Sequence, residues 1–561
     1  MQLTGSQAVL ESLLAEKVDT IFGYPGGAIM PVYDALYDYR KKLNHILVRH
    51  EQGAAHAAEG YAQVTGRAGV CLATSGPGAT NLVTGISDAM MDSIPIVCIT
   101  GQVAAHLVGT DAFQETDIIG ITTPITKWNY QVTRAHEIAE VMAKAFYIAR
   151  RGRPGPVLVD ITKNAQIEMC EFEYPKDIRI ESFQPTTIPN KRQIKLAAEL
   201  INGAKRPYMF IGHGVLIAYA TDIVKKVVEK TGIPVASTLL GLSALPVDHP
   251  QYVGMLGMHG NYGPNMLASK ADVIVAVGMR FDDRVTGRLA DFIPQARVIH
   301  IDIDPAELNK NVPAEVPIVA DAKAALTELL PQLDKKTHDA WMAEFRKYNK
   351  LELDKVINPK KNAKTEKIGM TQAIDMISRK TKRDAIVVAD VGQHQMEAAR
   401  YYQFKNPHTF LTSGGAGTMG YALPTSMGAK VGARDKLVVA IIGDGSFQMT
   451  LQELATIAQE KLDVKIFILN NNFLGMVRQW QQLFFDKRYS FVELKNPDFV
   501  ALTKAFGIAA EKVTDLIGLD HAIDKSLAHK GPYLVEIDVA REENVFPMVA
   551  TGKAAHEIVL E

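Results

Sequence analysis

Short β-branched apolar runs alternate with longer stretches of helical periodicity along most of the chain, and each run ends in glycine, proline or polar residues. Between residues 1 and 165 the runs are TIFGYPGG, ILVRHE, AGVCLATSGPG, IPIVCITG and GPVLVDIT. Strands of this kind, separated by helices of roughly 10 to 20 residues, predict a parallel sheet covered on both faces. Residues 166–190 lose the periodicity and gain charge and proline, as an interdomain linker does. The pattern resumes over 191–335 with YMFIGHGV, IPVASTLLG, DVIVAVGMRFDDRVTG and ARVIHIDIDPAEL. A lysine-rich helical segment then predicts a solvated face, and a third set of runs occupies 366–540. Residues 541–561 read as a tail able to fold over a pocket. The expected architecture is α/β, with three doubly wound parallel-sheet domains.

The densest signal is KLVVAIIGDGSFQMTLQELATIAQEKLDVKIFILNNN, residues 436–472. An apolar run meets a Gly-Asp-Gly turn, a helical pattern follows, and a second apolar run ends in asparagines, which predicts a βαβ unit. Its two strands are then parallel neighbours, so Asp444 and Asn471 both emerge at carboxyl ends, where α/β sheets bind ligands. One carboxylate and one amide oxygen, completed by backbone and phosphate oxygens, suit Mg²⁺. Glycines at 443 and 445 allow close approach of backbone to phosphate.

Composition narrows the field. At 561 residues and 47% hydrophobic content, the chain has length for about three or four domains with sizeable cores. Lysine and arginine total 61 against 62 acidic residues, a formal charge of −1 without the basic footprint of nucleic-acid or anionic-membrane binding. No apolar run approaches the roughly 18 to 20 residues of a membrane helix, and the N-terminus lacks a basic region followed by a hydrophobic core. Cys71, Cys98 and Cys170 form no CxxC pair. They are expected as small buried hydrophobes in a reducing, cytoplasmic compartment.

Other candidates sit at strand ends. Glu51 follows a strand and precedes a helix, which suits a surface helix-start glutamate as well as a functional carboxylate. Gly27 and Ala28 lie in a glycine-rich loop that can line a pocket or simply turn. Phe113 and Gln114 follow a loop; Gln114 can steady a developing oxyanion or cap a helix. In the middle segment Gly212-His213-Gly214 and the acidic strand end Asp302 and Asp304 suggest a nucleotide-binding sheet, although the spacing does not match GxGxxG. In the third, Gln393 and His394 end the run AIVVADVGQHQ, and Met419 lies in the turn SGGAGTMGYALP.

The strand, GDG, helix, strand and NN succession resembles the diphosphate-binding motif of thiamine-diphosphate enzymes, and RHEQGAAHAAEGYA resembles their glutamate motif. RFDDRVTG (280–287), MGYALP (419–424), GMVRQWQ (475–481) and RPGPVLVDITK (153–163) narrow the resemblance to the catalytic subunits of acetohydroxyacid synthase (acetolactate synthase) over essentially the whole chain. The resemblance implies decarboxylation of pyruvate and transfer of the two-carbon unit to a second pyruvate or to 2-oxobutyrate. The products, 2-acetolactate and 2-aceto-2-hydroxybutyrate, are precursors of valine, leucine and isoleucine. It implies thiamine diphosphate, Mg²⁺ and an FAD with no redox role in the reaction. It also implies a homodimer or dimer of dimers with the glutamate and the metal site on different subunits, and a separate small regulatory subunit.

By the same resemblance, Glu51 contacts the cofactor's aminopyrimidine, and a carboxyl in a closed apolar pocket can share a proton with that ring. Gln114 and Lys163 join it as catalytic positions, and Gly27, Ala28, Phe113 and Met258 line the substrate pocket. Asp444, Asn471 and the backbone of Phe473 hold Mg²⁺. Gly392, Gln393, His394, Gly445, Ser446, Gly475 and Met476 lie along the diphosphate, while Gly417 and Met419 support the bent cofactor. Arg153, Gly212, Thr238, Leu239, Met258, His259, Arg280, Asp282, Asp302, Ile303 and Asp321 fit the FAD site. Arg284 corresponds to the arginine for the acceptor carboxylate and Trp480 to the tryptophan that packs on the extra methyl of 2-oxobutyrate. Taken without the resemblance, RFDD reads equally as a surface salt-bridge run and Trp480 as core. Two rivals stand beside this function: a flavin-dependent pyruvate oxidase on the same plan, and a non-catalytic nucleotide-binding regulator, which the presence of Glu51, Asp444 and Asn471 disfavours.

Overall fold

The computed structural model describes residues 1–364 and 366–561. Three six-stranded sheets, every pairing parallel, account for nearly all the strands. The β-branched runs form their central strands because buried on both faces they leave no polar side chain to desolvate. Val438–Gly443 and Val464–Asn470, for example, are buried at every position.

In each sheet the strand order reverses between two inner strands, and that reversal opens a crevice at their carboxyl ends. In the first sheet the neighbours are Thr20–Gly23 and Gly69–Ala73, in the second Pro207–Ile211 and Val273–Val277, in the third Ile386–Ala389 and Val438–Gly443. Most glycine-rich loops of the sequence leave these strands, while SGGAGTMGYALP leaves the edge strand Phe410–Thr412 of the third sheet. The expected βαβ unit is present, with Gly443 paired to Leu469, so Asp444 and Asn471 emerge side by side.

The first and third domains share one apolar core running from Phe22 and Ile46 to Leu423 and Ile466. Its seam is the helix Glu51–Thr65 against the helix Ala422–Gly432. The contact is backbone to backbone: a Cβ at Gly60 would stand 2.1 Å from Thr425 O, and one at Gly428 1.8 Å from Ala57 O. Only glycine permits that approach. Glu453 reinforces the seam by accepting from Arg49 N and His50 N, each at 3.0 Å.

Part of the expected linker is ordered against the first domain. Met169–Glu171 pairs antiparallel with Gln2–Thr4, a contact between segments too distant in sequence for local periodicity to reveal. The lysine-rich segment forms the helix Asp339–Glu352, which keeps its lysines and Arg346 outward, buries Phe345 against Tyr208 and Trp341, and ends in a buried Glu352 paired with Arg400. The tail lies on the middle domain: Val549 N donates to Met258 O at 2.8 Å and Arg288 N to Lys553 O at 2.9 Å. Cys71 and Cys98 are buried partners on adjacent strands, with sulfurs 3.2 Å apart and no disulfide. Among the described residues no helix is long and apolar enough to cross a membrane.

Candidate active site

The metal-ligand candidates lie at the crevice of the third sheet. Asp444 starts the helix Asp444–Thr450 and is 1% exposed. Burial pushes its carboxyl up to about 6 against the opposing pull of the Asn496 amide. Asn471 Oδ1 accepts from Phe473 N at 3.2 Å. Phe473 is bridged antiparallel to Glu493, but the bridge bonds run from Leu474 N to Val492 O and from Leu494 N to Asn472 O. The Phe473 carbonyl therefore stays out of the ladder, in keeping with a ligand role.

Asn496 is the residue that sequence reasoning missed here. Its Nδ2 donates to Asp444 Oδ2 at 2.7 Å and to Asn470 Oδ1 at 2.9 Å, and its Oδ1 accepts from Gln448 at 2.9 Å. It belongs to a loop with no periodic or glycine signal, and only the fold brings it to the carboxylate.

Gln393 and His394 begin the helix Gln393–Tyr401 at the neighbouring strand end. His394 is buried, and desolvation drops its imidazole to about 3, so the ring is neutral at physiological pH. Its Nε2 and Gln393 Oε1 are buried without hydrogen-bond partners among the described residues. A Cβ at Gly475 would lie 2.3 Å from Gln393 Oε1 and 2.9 Å from Asn471 Nδ2, which brings these three residues together. Gly392 and Gly417 hold φ of +149° and +70°, where glycine carries no steric cost. Ser446 Oγ donates to Val391 O at 3.2 Å. A carboxylate, an amide oxygen, an unengaged carbonyl and unpartnered polar atoms at one crevice fit Mg²⁺ and a diphosphate.

A cavity of about 1010 Å³ opens between the middle and third domains. The middle domain contributes Thr238, Leu239, Met258, His259, Arg280, Asp282, Arg284, Asp302, Ile303 and Asp321; the first contributes Arg153; the third contributes Gly392, Gly417, Met419, Met476 and Trp480. Gly212 stands behind this wall, packed against Gly278 O. Asp282 caps the turn Asp283–Thr286 and Asp321 caps the helix Ala322–Leu329, so each carboxylate is oriented by its own backbone. Burial pushes Asp302 up to about 6 and His259 down to about 3, and His259 Nδ1 has no partner among the described residues. A cavity of this size, with guanidinium and carboxyl groups on an otherwise apolar wall, fits a large dinucleotide such as FAD. Arg284 reaches the same space, with Nη1 3.6 Å from Met258 Sδ. Trp480 faces it from the helix Gly475–Phe484, its ring 5.4 Å from that of Phe484.

The first-domain candidates gather elsewhere. Glu51 is 8% exposed and accepts from Asn81 Nδ2 at 2.9 Å. A Cβ at Gly78 would lie 3.1 Å from Glu51 Oε1, and one at Gly76 2.7 Å from Gln114 O. Gln114 holds a φ of +60°, an unusual conformation for a residue with a side chain. It caps no helix, since Asp117 caps the one that follows. Ala28 N donates to Thr74 Oγ1 at 3.2 Å, and Gly27 has open space where a Cβ would be. Lys163 begins a short helix at the same rim and is exposed. Phe113 is 88% exposed. None of these residues lines the large cavity of their own chain.

Comparison with known proteins agrees with this geometry. Residues 3–121, 194–329 and 390–537 match, respectively, the N-terminal TPP binding domain, the central domain and the C-terminal TPP binding domain of the thiamine pyrophosphate enzymes. Acetolactate synthase of Mycobacterium bovis is 48% identical over 579 residues, covering 99% of this chain and 91% of that protein. The acetolactate synthase large subunit of Corynebacterium glutamicum is 47% identical, covering 99% and 90%. Acetolactate synthase isozyme 2 large subunit of Escherichia coli is 45% identical, covering 99% of both.

Proposed function

The chain belongs to the thiamine pyrophosphate enzymes, among the acetolactate synthase large subunits, and on that premise we propose how its residues divide the work. The reaction joins the two-carbon unit of a decarboxylated pyruvate to a second pyruvate or to 2-oxobutyrate. Bound thiamine diphosphate supplies the electron sink that lets a 2-oxo acid lose carbon dioxide. Asp444, Asn471 and the Phe473 carbonyl hold Mg²⁺, and Gln393, His394, Gly445 and Ser446 meet the diphosphate. Glu51 holds and returns a proton at the pyrimidine end, with Gln114 and Lys163 at the same rim. FAD occupies the large cavity.

The observation that carries the acceptor assignment is the shared wall of that cavity. Arg284 of the middle domain and Trp480 and Met476 of the third line one space. A planar guanidinium suits the acceptor carboxylate, and an indole beside methionines suits a short alkyl group. Trp480→Leu should lower the preference for 2-oxobutyrate over pyruvate by about tenfold or more, because one methylene in an apolar pocket is worth about 1–3 kcal/mol. Offering both acids together and measuring the ratio of the two products checks this; an unchanged ratio would remove Trp480 from the acceptor pocket.

The exposure of Phe113 and the absence of Glu51 from its own chain's cavity support a site completed by a second copy, hence a homodimer as the smallest active unit. A separate small regulatory subunit fits the large-subunit relatives. Buried, unpaired cysteines fit a reducing cytoplasm.

A further inference from the structure

The helix Val83–Asp92 carries none of the residues assigned above, yet its last turn meets all three domains. Asp88 and Asp92, 0% and 2% exposed, reach from the first domain to the 413–419 loop of the third. Gly414 N donates to Asp92 Oδ2 and Gly415 N to Asp92 Oδ1, each at 2.7 Å. Asp88 Oδ1 receives Thr418 Oγ1 at 3.0 Å and a shorter bond from Ser413 Oγ. The loop closes on itself through Thr418 N and Ser413 Oγ at 2.8 Å. On the same turn Asp92 O accepts from His213 Nδ1 at 2.9 Å, and Ser93 Oγ from Arg153 Nε at 2.8 Å.

Two buried carboxylates one helical turn apart are a costly way to join domains. Burial pushes both carboxyls well above their usual range, and Asp88 Oδ2 has no partner among the described residues. An apolar pair of similar volume would hold the seam at less cost, so the arrangement is better explained by what it positions. The donors it collects are the polar groups of one glycine-rich loop with few side chains to pack; the ends of that loop are held separately, by Gln395 Nε2 donating to Ser413 O at 3.0 Å and by Asp390 accepting from Gly420 N at 2.9 Å. That loop carries Gly417 and Met419 to the cavity wall, and Met91, Asp92 and Ser93 line the same cavity.

We infer that Asp88 and Asp92 are positioning residues for the reaction: a carboxylate latch, built on the first domain, that holds the 413–419 loop at the wall shared by cofactor and acceptor. The inference rests on the assignment of this cavity to FAD and the acceptor. Asp92→Asn turns an amide N–H₂ toward one of the two backbone donors, so the loop loses its two-oxygen grip while the shape is kept.

The test compares the Asp92→Asn and wild-type holoenzymes. In the variant, kcat for acetolactate formation should fall roughly ten- to hundredfold, the effect of displacing a group by about 1 Å. The KM for pyruvate should stay within about threefold. The absorption spectrum of bound FAD should shift, and amide hydrogen exchange should rise in 413–419 without rising in the three sheets. Ser413→Ala with Thr418→Val removes the bonds to Asp88 from the loop side and should move the same readouts in the same direction. It decides the question if Asp92→Asn does not fold. Unchanged kcat, spectrum and loop exchange would overturn the latch. So would exchange rising everywhere with kcat per bound FAD unchanged, which marks a merely structural role. A wild-type protein that neither binds FAD nor forms acetolactate would count against the assigned function instead, while loop exchange would still decide the latch.

Discussion

Glu51→Gln should reduce kcat for acetolactate formation by about 10²- to 10⁴-fold, the range for losing a positioned acid–base group, while thiamine diphosphate affinity changes little. Glutamine keeps the volume and one acceptor oxygen, so the helix start and the contact with Asn81 survive. What it cannot do is take up and return a proton. The carboxyl is well placed for that task because the fold holds it at 8% exposure on a strand end, against the close backbone of Gly78. A solvated helix-start glutamate, the bland alternative, would lose only about 0.3–1 kcal/mol of helix stability on the change and leave kcat alone. Stopped-flow kinetics and cofactor titration on the same preparation separate the two roles. Co-expression with an Asp444→Ala chain adds a check on the shared site. If each site takes Glu51 from one chain and Asp444 from the other, random mixed dimers should regain roughly a quarter of wild-type sites. No recovery would place both residues in one chain's site.

Asp444→Ala should abolish cofactor retention, with the apparent dissociation constant for thiamine diphosphate in Mg²⁺ rising more than about 100-fold and activity lost in proportion. The carboxylate is buried, its burial disfavours the charged form, and a cation at the crevice reverses that preference. Removing it takes away the one carboxylate among the three assigned ligands. Asn496→Ala leaves every ligand in place but frees the carboxylate from its 2.7 Å bond, and should weaken Mg²⁺-dependent binding by about 10- to 100-fold. Titrating Mg²⁺ at fixed thiamine diphosphate, read by tryptophan fluorescence, checks both. Equal affinity in Asp444→Ala and wild type would move the metal elsewhere.

The parts of the site legible in the sequence are those in which chemistry and chain direction coincide. Asp444 and Asn471 could be paired because a βαβ unit must place successive strand ends together, and the glycine-rich loops could be found because switch-point crevices demand close backbone approach. The resemblance supplied the scattered middle-domain positions, whose residues are individually weak signals; Asp282 and Asp321 would read locally as helix caps and nothing more. Asn496 lies in a loop without periodicity, and its carboxylate partner is 52 positions away. The latch of Asp88 and Asp92 spans more than 320 positions, and in the sequence both look like polar residues on an ordinary amphipathic helix. The course of the tail depends on bonds from Arg478 and Gln479 to residues 543–545, which no local pattern announces. Phe113 was expected in a pocket and is exposed in the single chain, which is intelligible if its pocket belongs to a second copy.

The central claim is tested most directly by supplying the purified protein with pyruvate, Mg²⁺, thiamine diphosphate and FAD, and measuring acetolactate, acetate and oxygen uptake together. The account predicts acetolactate formed with carbon dioxide and no matching oxygen uptake. Acetate or acetyl phosphate with stoichiometric loss of oxygen would contradict it: the cofactor crevices would stand, but Arg284 and Trp480 would not be the walls of an acceptor site.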